Sequence, residues 1–159
     1  MTIESAILEA RNLRVIRGGS LLVNVPSLKI REGETLSLIG PNGAGKTTLL
    51  QALSYLMRPS AGEILFRGEK VGDSYAILAY RRKLAMVFQE PLLFDTTVFE
   101  NVASGLKIRG LESGMIRQVV TEQLNRFGIG HLGDRSARTL SGGEAQRTSL
   151  ARAFAIKPE

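Results

Sequence analysis

Gly40-Pro41-Asn42-Gly43-Ala44-Gly45-Lys46-Thr47 is the stretch on which the reading of this chain turns. Its pattern is Gly-x-x-x-x-Gly-Lys-Thr. Glycines are needed where the backbone wraps closely around an anion and takes torsions that a side chain would forbid. Successive N–H groups then point inward, and a helix opening near Lys46 adds about half a unit of positive charge at its N-terminus. Lys46 is expected to reach the β- and γ-phosphates of a nucleotide, and the Thr47 hydroxyl to coordinate Mg²⁺. The plain alternative is a flexible glycine turn. Context argues against it: residues 35–39 (Thr-Leu-Ser-Leu-Ile) read as a buried strand running into Gly40, and residues 46–57 as a helix with Leu49, Leu50, Leu53 and Leu56 on one face.

Working outward, residues 7–16 and 21–25 read as a hairpin joined by Gly18-Gly19-Ser20, broken at Pro26, with a further strand over 27–30. Residues 63–66 form a short strand closed by Gly68, and residues 84–88 (Leu-Ala-Met-Val-Phe) a buried one ending at Gln89. Helical periodicity returns over 98–108 and 112–127, parted by Gly110, and over 143–156 with Pro158 beyond. Strands alternating with helices imply an α/β fold with an antiparallel N-terminal part.

The 159 residues make one domain at most, with 43% hydrophobic residues to build a core. There is no cysteine, hence no disulfide framework and no thiolate metal site. The N-terminus has no basic segment followed by an apolar one, and no apolar run approaches the ~20 residues of a membrane span. The net charge of +6 fits first a solvated basic surface, and more sharply a phosphate-rich ligand or an anionic membrane face. The arginines are scattered with no aromatic-basic strip, so nucleic acid is not an expected partner.

Leu140-Ser141-Gly142-Gly143-Glu144 is the second motif. Alone it is a capping box, Ser141 with Glu144 three residues on. Placed after the phosphate loop, with Gln89 and two helices between, it makes the chain resemble the ATP-binding-cassette (ABC) ATPases over nearly its whole length. Gly40, Pro41, Asn42, Gly43, Ala44, Gly45, Lys46, Thr47 and Thr48 match the Walker A loop, Gln89 the Q-loop glutamine, and 140–144 the signature motif. Residues 59–64 and 98–102 also look like family segments.

The resemblance implies a P-loop NTPase core with an antiparallel N-terminal β part and a helical signature subdomain. It divides the chain into 1–89 (β part and Walker A core), about 90–141 (Q-loop and helical subdomain) and 142–159 (signature helix). It implies ATP and Mg²⁺ as ligands, with Thr47 and Gln89 on the metal and Lys46 and Gln89 in the catalytic set. Two cassettes pair head to tail, so Ser141, Gly142, Gly143 and Glu144 serve a nucleotide held by a second copy. A permease docks near residues 89–94, a solute-binding protein acts indirectly, and the location is cytoplasmic, peripheral on the inner membrane face. The wording of residues 89–98 (Gln-Glu-Pro-Leu-Leu-Phe-Asp-Thr-Thr-Val) and 140–147 (Leu-Ser-Gly-Gly-Glu-Ala-Gln-Arg) is similar to importer cassettes for tungstate or molybdate oxyanions. A soluble ABC ATPase of DNA repair or translation, and a fragment that does not hydrolyse ATP, remain the alternatives.

The chain departs from the family pattern in three places. The strand ending Asp-Glu and the switch histidine have no match before Glu159, so the domain reads as incomplete and is expected to be inactive alone. Residues 35–39 and 84–88 are then expected to lack a neighbouring strand. His131 precedes the signature and is expected on the surface. Arg17 stands where the family stacks an aromatic residue on adenine; it either lies against the base or faces solvent. Glu144 replaces the commoner Gln.

Overall fold

The computed structural model describes residues 6–159 and divides into two compact units, Met1–Arg82 and Lys83–Glu159. In the first, β1 (Ala6–Arg17), β2 (Ser20–Arg31), β3 (Ala61–Phe66) and β4 (Glu69–Lys70) form one antiparallel sheet in the order β2-β1-β3-β4, with helices α1 (Lys46–Leu53) and α2 (Ile77–Lys83). Gly18 and Gly19 both take left-handed torsions (φ 55° and 78°). Two such residues make the turn whose twist matches that of the strands it joins. β1 pairs with β2 with Leu13 opposite Val25 and Val15 opposite Val23, and with β3 with Ala10 opposite Ile64.

Pro26 does not break the hairpin: β2 runs through it to Arg31. The reason is position. β2 is a sheet edge, where a proline's missing N–H costs no ladder hydrogen bond. The core of this unit collects Ala10, Leu13, Val15, Ile64 and Phe66 from the sheet with Ala52 and Leu53 of α1. Tyr80 of α2 is fully buried; its hydroxyl donates to the Leu53 carbonyl at 2.6 Å, and its ring meets Phe66 edge-on at 5.4 Å.

Two expected strands are not strands. Residues 35–39 and 84–88 carry no ladder, and Ile39 is 95% exposed. A β-strand exists only by pairing, and among the described residues neither run has a partner. A sequence pattern alone reads as strand in both places. Helix α1 also stops at Leu53, short of the expected 57, and Tyr55 turns into left-handed torsions. Leu50 and Leu56 are nearly half exposed, so the expected apolar face is only partly used.

The second unit is helical: α3 (Val98–Ile108), α4 (Ser113–Arg126) and α5 (Gly142–Ala155), with short 3₁₀ turns at Gly130–Leu132 and Ala137–Thr139. Val98, Val102 and Leu106 of α3 pack with Ile116, Val120 and Leu124 of α4 and Ala151 and Ala155 of α5. The spacing of four residues puts each set on one helix face. Thr97 caps α3 by accepting from the Glu100 N–H at 3.2 Å. Among the described residues the molecule is a mixed α/β protein whose sheet is antiparallel.

Candidate functional site

The phosphate loop spans the turn between residue 39 and α1. Gly43 and Gly45 both have positive φ, at 82° and 85°. Gly45 is also pressed against the hairpin: a Cβ there would stand 2.6 Å from the Leu22 carbonyl oxygen and 3.4 Å from Val23 Cγ2. Glycine is thus required twice over, by torsion and by approach. The contact brings the β1–β2 hairpin and the loop together, as a nucleotide held by both would need.

Lys46 sits at the first position of α1 and folds back over the loop. Its Nζ donates to the carbonyl oxygens of Gly40 and Pro41, both at 2.7 Å. An ammonium has three hydrogens and no acceptor, so one remains for an anion above the loop. Gly45 is the N-cap of α1 and no side chain caps it. The first helical N–H groups are therefore left for another acceptor. Uncapped donors, an ammonium and a glycine-lined approach suit a phosphate chain, and the exposed Thr47 adds a hydroxyl oxygen of the kind Mg²⁺ takes. Pro41, Asn42, Gly43 and Ala44 are exposed around this loop, and Thr48 is half-buried behind it. Arg17 is exposed at the end of β1, paired with Ser20 across the turn.

The second motif lies in the helical unit. Ser141 is the N-cap of α5, and the capping box is present in full. One carboxylate oxygen of Glu144 accepts from the Ser141 N–H at 2.7 Å and from its hydroxyl at 2.9 Å. The other lies 3.5 Å from the Arg135 guanidinium. The bonds from Ser141, the backbone one foremost, and the nearby Arg135 and Arg147 hold the Glu144 carboxyl below its ordinary value. Ser141, Gly142 and Gly143 are exposed. Gln89 is exposed too, in this same unit. Lys46 and Thr47 belong to the other. His131 lies at the surface, as expected.

Beyond Gln89, Leu92 and Phe94 are 60% and 57% exposed. An ordinary buried Leu-Leu-Phe cluster is excluded by those values. Together with Leu84, Met86, Ile108 and Arg152 they line a groove of about 430 Å³. Two residues that the sequence did not single out organise it. Asn101, fully buried, accepts from the Phe94 N–H at 2.7 Å and donates to the carbonyls of Phe94 at 3.0 Å and Thr97 at 2.9 Å. It fixes the backbone that carries the Phe94 ring. The signal was a polar residue between Val98 and Val102 on a buried helix face. Arg152, half-buried, places its guanidinium 5.6 Å from the Phe94 ring centre, and desolvation works against its charge. No periodicity marks such a residue.

Comparison with known proteins gives the chain's relatives. The tungstate uptake system ATP-binding protein TupC of Peptoclostridium acidaminophilum is 42% identical over 147 residues, covering 92% of this chain and 66% of that protein. The spermidine/putrescine import ATP-binding protein PotA of Mesoplasma florum is 35% identical over 157 residues, 98% of this chain and 44% of its own length. The structure of cbiO1 from Clostridium perfringens, part of the ABC transporter complex cbiONQ, superposes with a TM-score of 0.84 at 32% identity, covering 98% of this chain and 63% of that one. This chain thus spans about two thirds or less of the proteins it resembles. The family model described as ABC transporter matches residues 23–159, and the chain belongs to that family.

Proposed function

We propose that this chain is the ATP-binding part of an ABC importer subunit, coupling ATP binding and hydrolysis in a cassette dimer to solute uptake. The observation that carries the proposal is Lys46 Nζ, held over the glycine loop by the Gly40 and Pro41 carbonyls at the head of an uncapped helix. The loop amides and the α1 N-terminus bind the triphosphate. Lys46 directs its remaining proton to the β- and γ-phosphate oxygens. Thr47 supplies an oxygen donor to Mg²⁺, and exposed Gln89 takes the ion- and water-sensing role the resemblance assigns it. Mg²⁺, when bound, spreads the negative charge that accumulates as the terminal phosphate leaves. Gly142 and Gly143, at the exposed start of α5, face the nucleotide of a second copy with further helix N–H groups.

The apolar groove around Leu92 and Phe94 is the docking face for the membrane permease. Its support is the exposure of those side chains beside a half-buried cation. No described helix is long and apolar enough to cross a membrane. For the solute we favour an oxyanion such as tungstate, because TupC is a tungstate protein and 42% identical. PotA, a polyamine protein at 35%, marks the competing reading.

The test is calorimetric titration of the full-length protein with ATP. Lys46→Ala removes a charge-assisted hydrogen bond and should weaken binding roughly ten- to hundredfold. Unchanged affinity would sink the assignment. Tungstate uptake by cells carrying the gene with its permease, lost in Lys46→Ala, checks the solute.

A further inference from the structure

The Ser141 hydroxyl has one hydrogen, and in this structure Glu144 takes it. An ionised carboxylate only accepts, so at 2.9 Å the hydroxyl must be the donor. The same oxygen also takes the Ser141 N–H at 2.7 Å. In return the Ser141 oxygen receives the Glu144 N–H at 3.4 Å, a long bond. Arg135 anchors the far side of the carboxylate at 3.5 Å and is itself tied to Thr139 through its Nε at 3.1 Å. Arg147 is the remaining charged group near it.

We propose that Glu144 is a positioning residue that latches the signature turn, keeping the Ser141 hydroxyl turned away from an arriving phosphate until Arg135 and Arg147 take over the carboxylate. The proposal rests on the reading that Ser141 faces a triphosphate held by a second copy. Its physical content is a competition. The hydroxyl cannot donate to Glu144 and to a phosphate at once, and the phosphate arrives beside a fixed negative charge. A glutamine at 144 changes both terms. Its carbonyl can still accept the Ser141 N–H and complete the capping box. That same carbonyl can also accept the Ser141 hydroxyl, as the carboxylate oxygen does, but a neutral acceptor holds it about half as strongly as a charged one, so the hydroxyl yields more readily to the phosphate.

Association of the full-length protein is measured by sedimentation velocity against ATP in the presence of EDTA, so that turnover does not dissolve the dimer. Glu144→Gln should form the dimer at lower ATP than the parent, by roughly three- to tenfold, the effect of weakening the competing hold on the hydroxyl from a charge-assisted to a neutral hydrogen bond. Its melting temperature at pH 7 should fall only slightly, by the charge-assisted part of the cap that glutamine lacks, because the cap itself survives. The double variant Ser141→Ala/Glu144→Gln should lose that gain. Dimerisation of Glu144→Gln no better than the parent's overturns the latch, as does a double variant that keeps the whole gain, since charge alone would then explain it. In both cases ATP-driven association leaves the nucleotide reading standing. Absence of ATP-driven association in every variant, Glu144→Gln included, overturns the latch together with the reading beneath it.

Discussion

Asn101→Ala is the substitution whose cost the structure defines best. The side chain is fully buried and makes three hydrogen bonds, to the Phe94 N–H, the Phe94 carbonyl and the Thr97 carbonyl. They are not equal. The Phe94 carbonyl also receives the Thr96 N–H at 2.8 Å, and the Thr97 carbonyl receives the Asn101 N–H at 3.0 Å. Both acceptors keep a partner after truncation. The Phe94 N–H loses its acceptor, which costs about 1–2 kcal/mol, and the two lost donor bonds add about 0.5 kcal/mol each. The expected total is about 2–3 kcal/mol, or roughly 5–10 °C in melting temperature for a chain of this size. Thermal unfolding by circular dichroism reads it. Asn101→Asp supplies the control. It keeps the acceptor for the Phe94 N–H but sets a carboxylate against two carbonyls, so it should be worse than the parent at pH 7 and recover as acid protonates it. A shift under about 2 °C for Asn101→Ala, or an Asn101→Asp protein equally stable from pH 4 to 8, would refute the idea that this amide clamps the segment bearing Phe94.

Three further outcomes are expected. Gly45→Ala places a methyl 2.6 Å from the Leu22 carbonyl oxygen at a left-handed torsion; it should abolish ATP binding in titration while leaving the helical unit's circular dichroism intact. Gly62→Ala is harsher for stability, because its Cβ would meet the Asn12 carbonyl oxygen at 2.3 Å between paired backbones; loss of soluble expression or a drop of at least about 3 kcal/mol in denaturant unfolding checks it. Glu144 contributes to stability as a carboxylate with a lowered pKa. That contribution is present above its ordinary value of 4.5 and disappears as pH falls through the lower folded value; the parent should therefore lose melting temperature below pH 4.5 faster than Glu144→Gln, and parallel curves would contradict the capping geometry.

The helices of the second unit were legible because their information is local. The period of apolar residues placed 98–108 exactly and 112–127 and 143–156 within a residue of α4 and α5 at each end. The hairpin was legible from Gly18-Gly19, where two left-handed torsions leave little choice. Pro26 misled, because whether a proline interrupts a strand depends on which side of that strand is paired, and pairing is not written in the strand itself. The expected loop and capping residues were likewise visible as residue types at fixed spacings, since an anion cradle and a helix cap are each built within one short segment.

Sequence by itself determined the chemistry on offer: a glycine loop ending in Lys46 and Thr47, a capped helix at Ser141, and membership of a family that uses both. Tertiary structure alone decided which apolar residues are buried. Residues 35–39 and 84–88 have the composition of core strands, yet Ile39 stands in solvent because a strand's hydrogen bonds must come from a neighbour elsewhere in the chain. Asn101 and Arg152 became meaningful only when packing set one under the Phe94 backbone and the other beside its ring. Local pattern specifies what a segment can form; long-range contact supplies the partner, and with it the free energy that makes one of those forms persist.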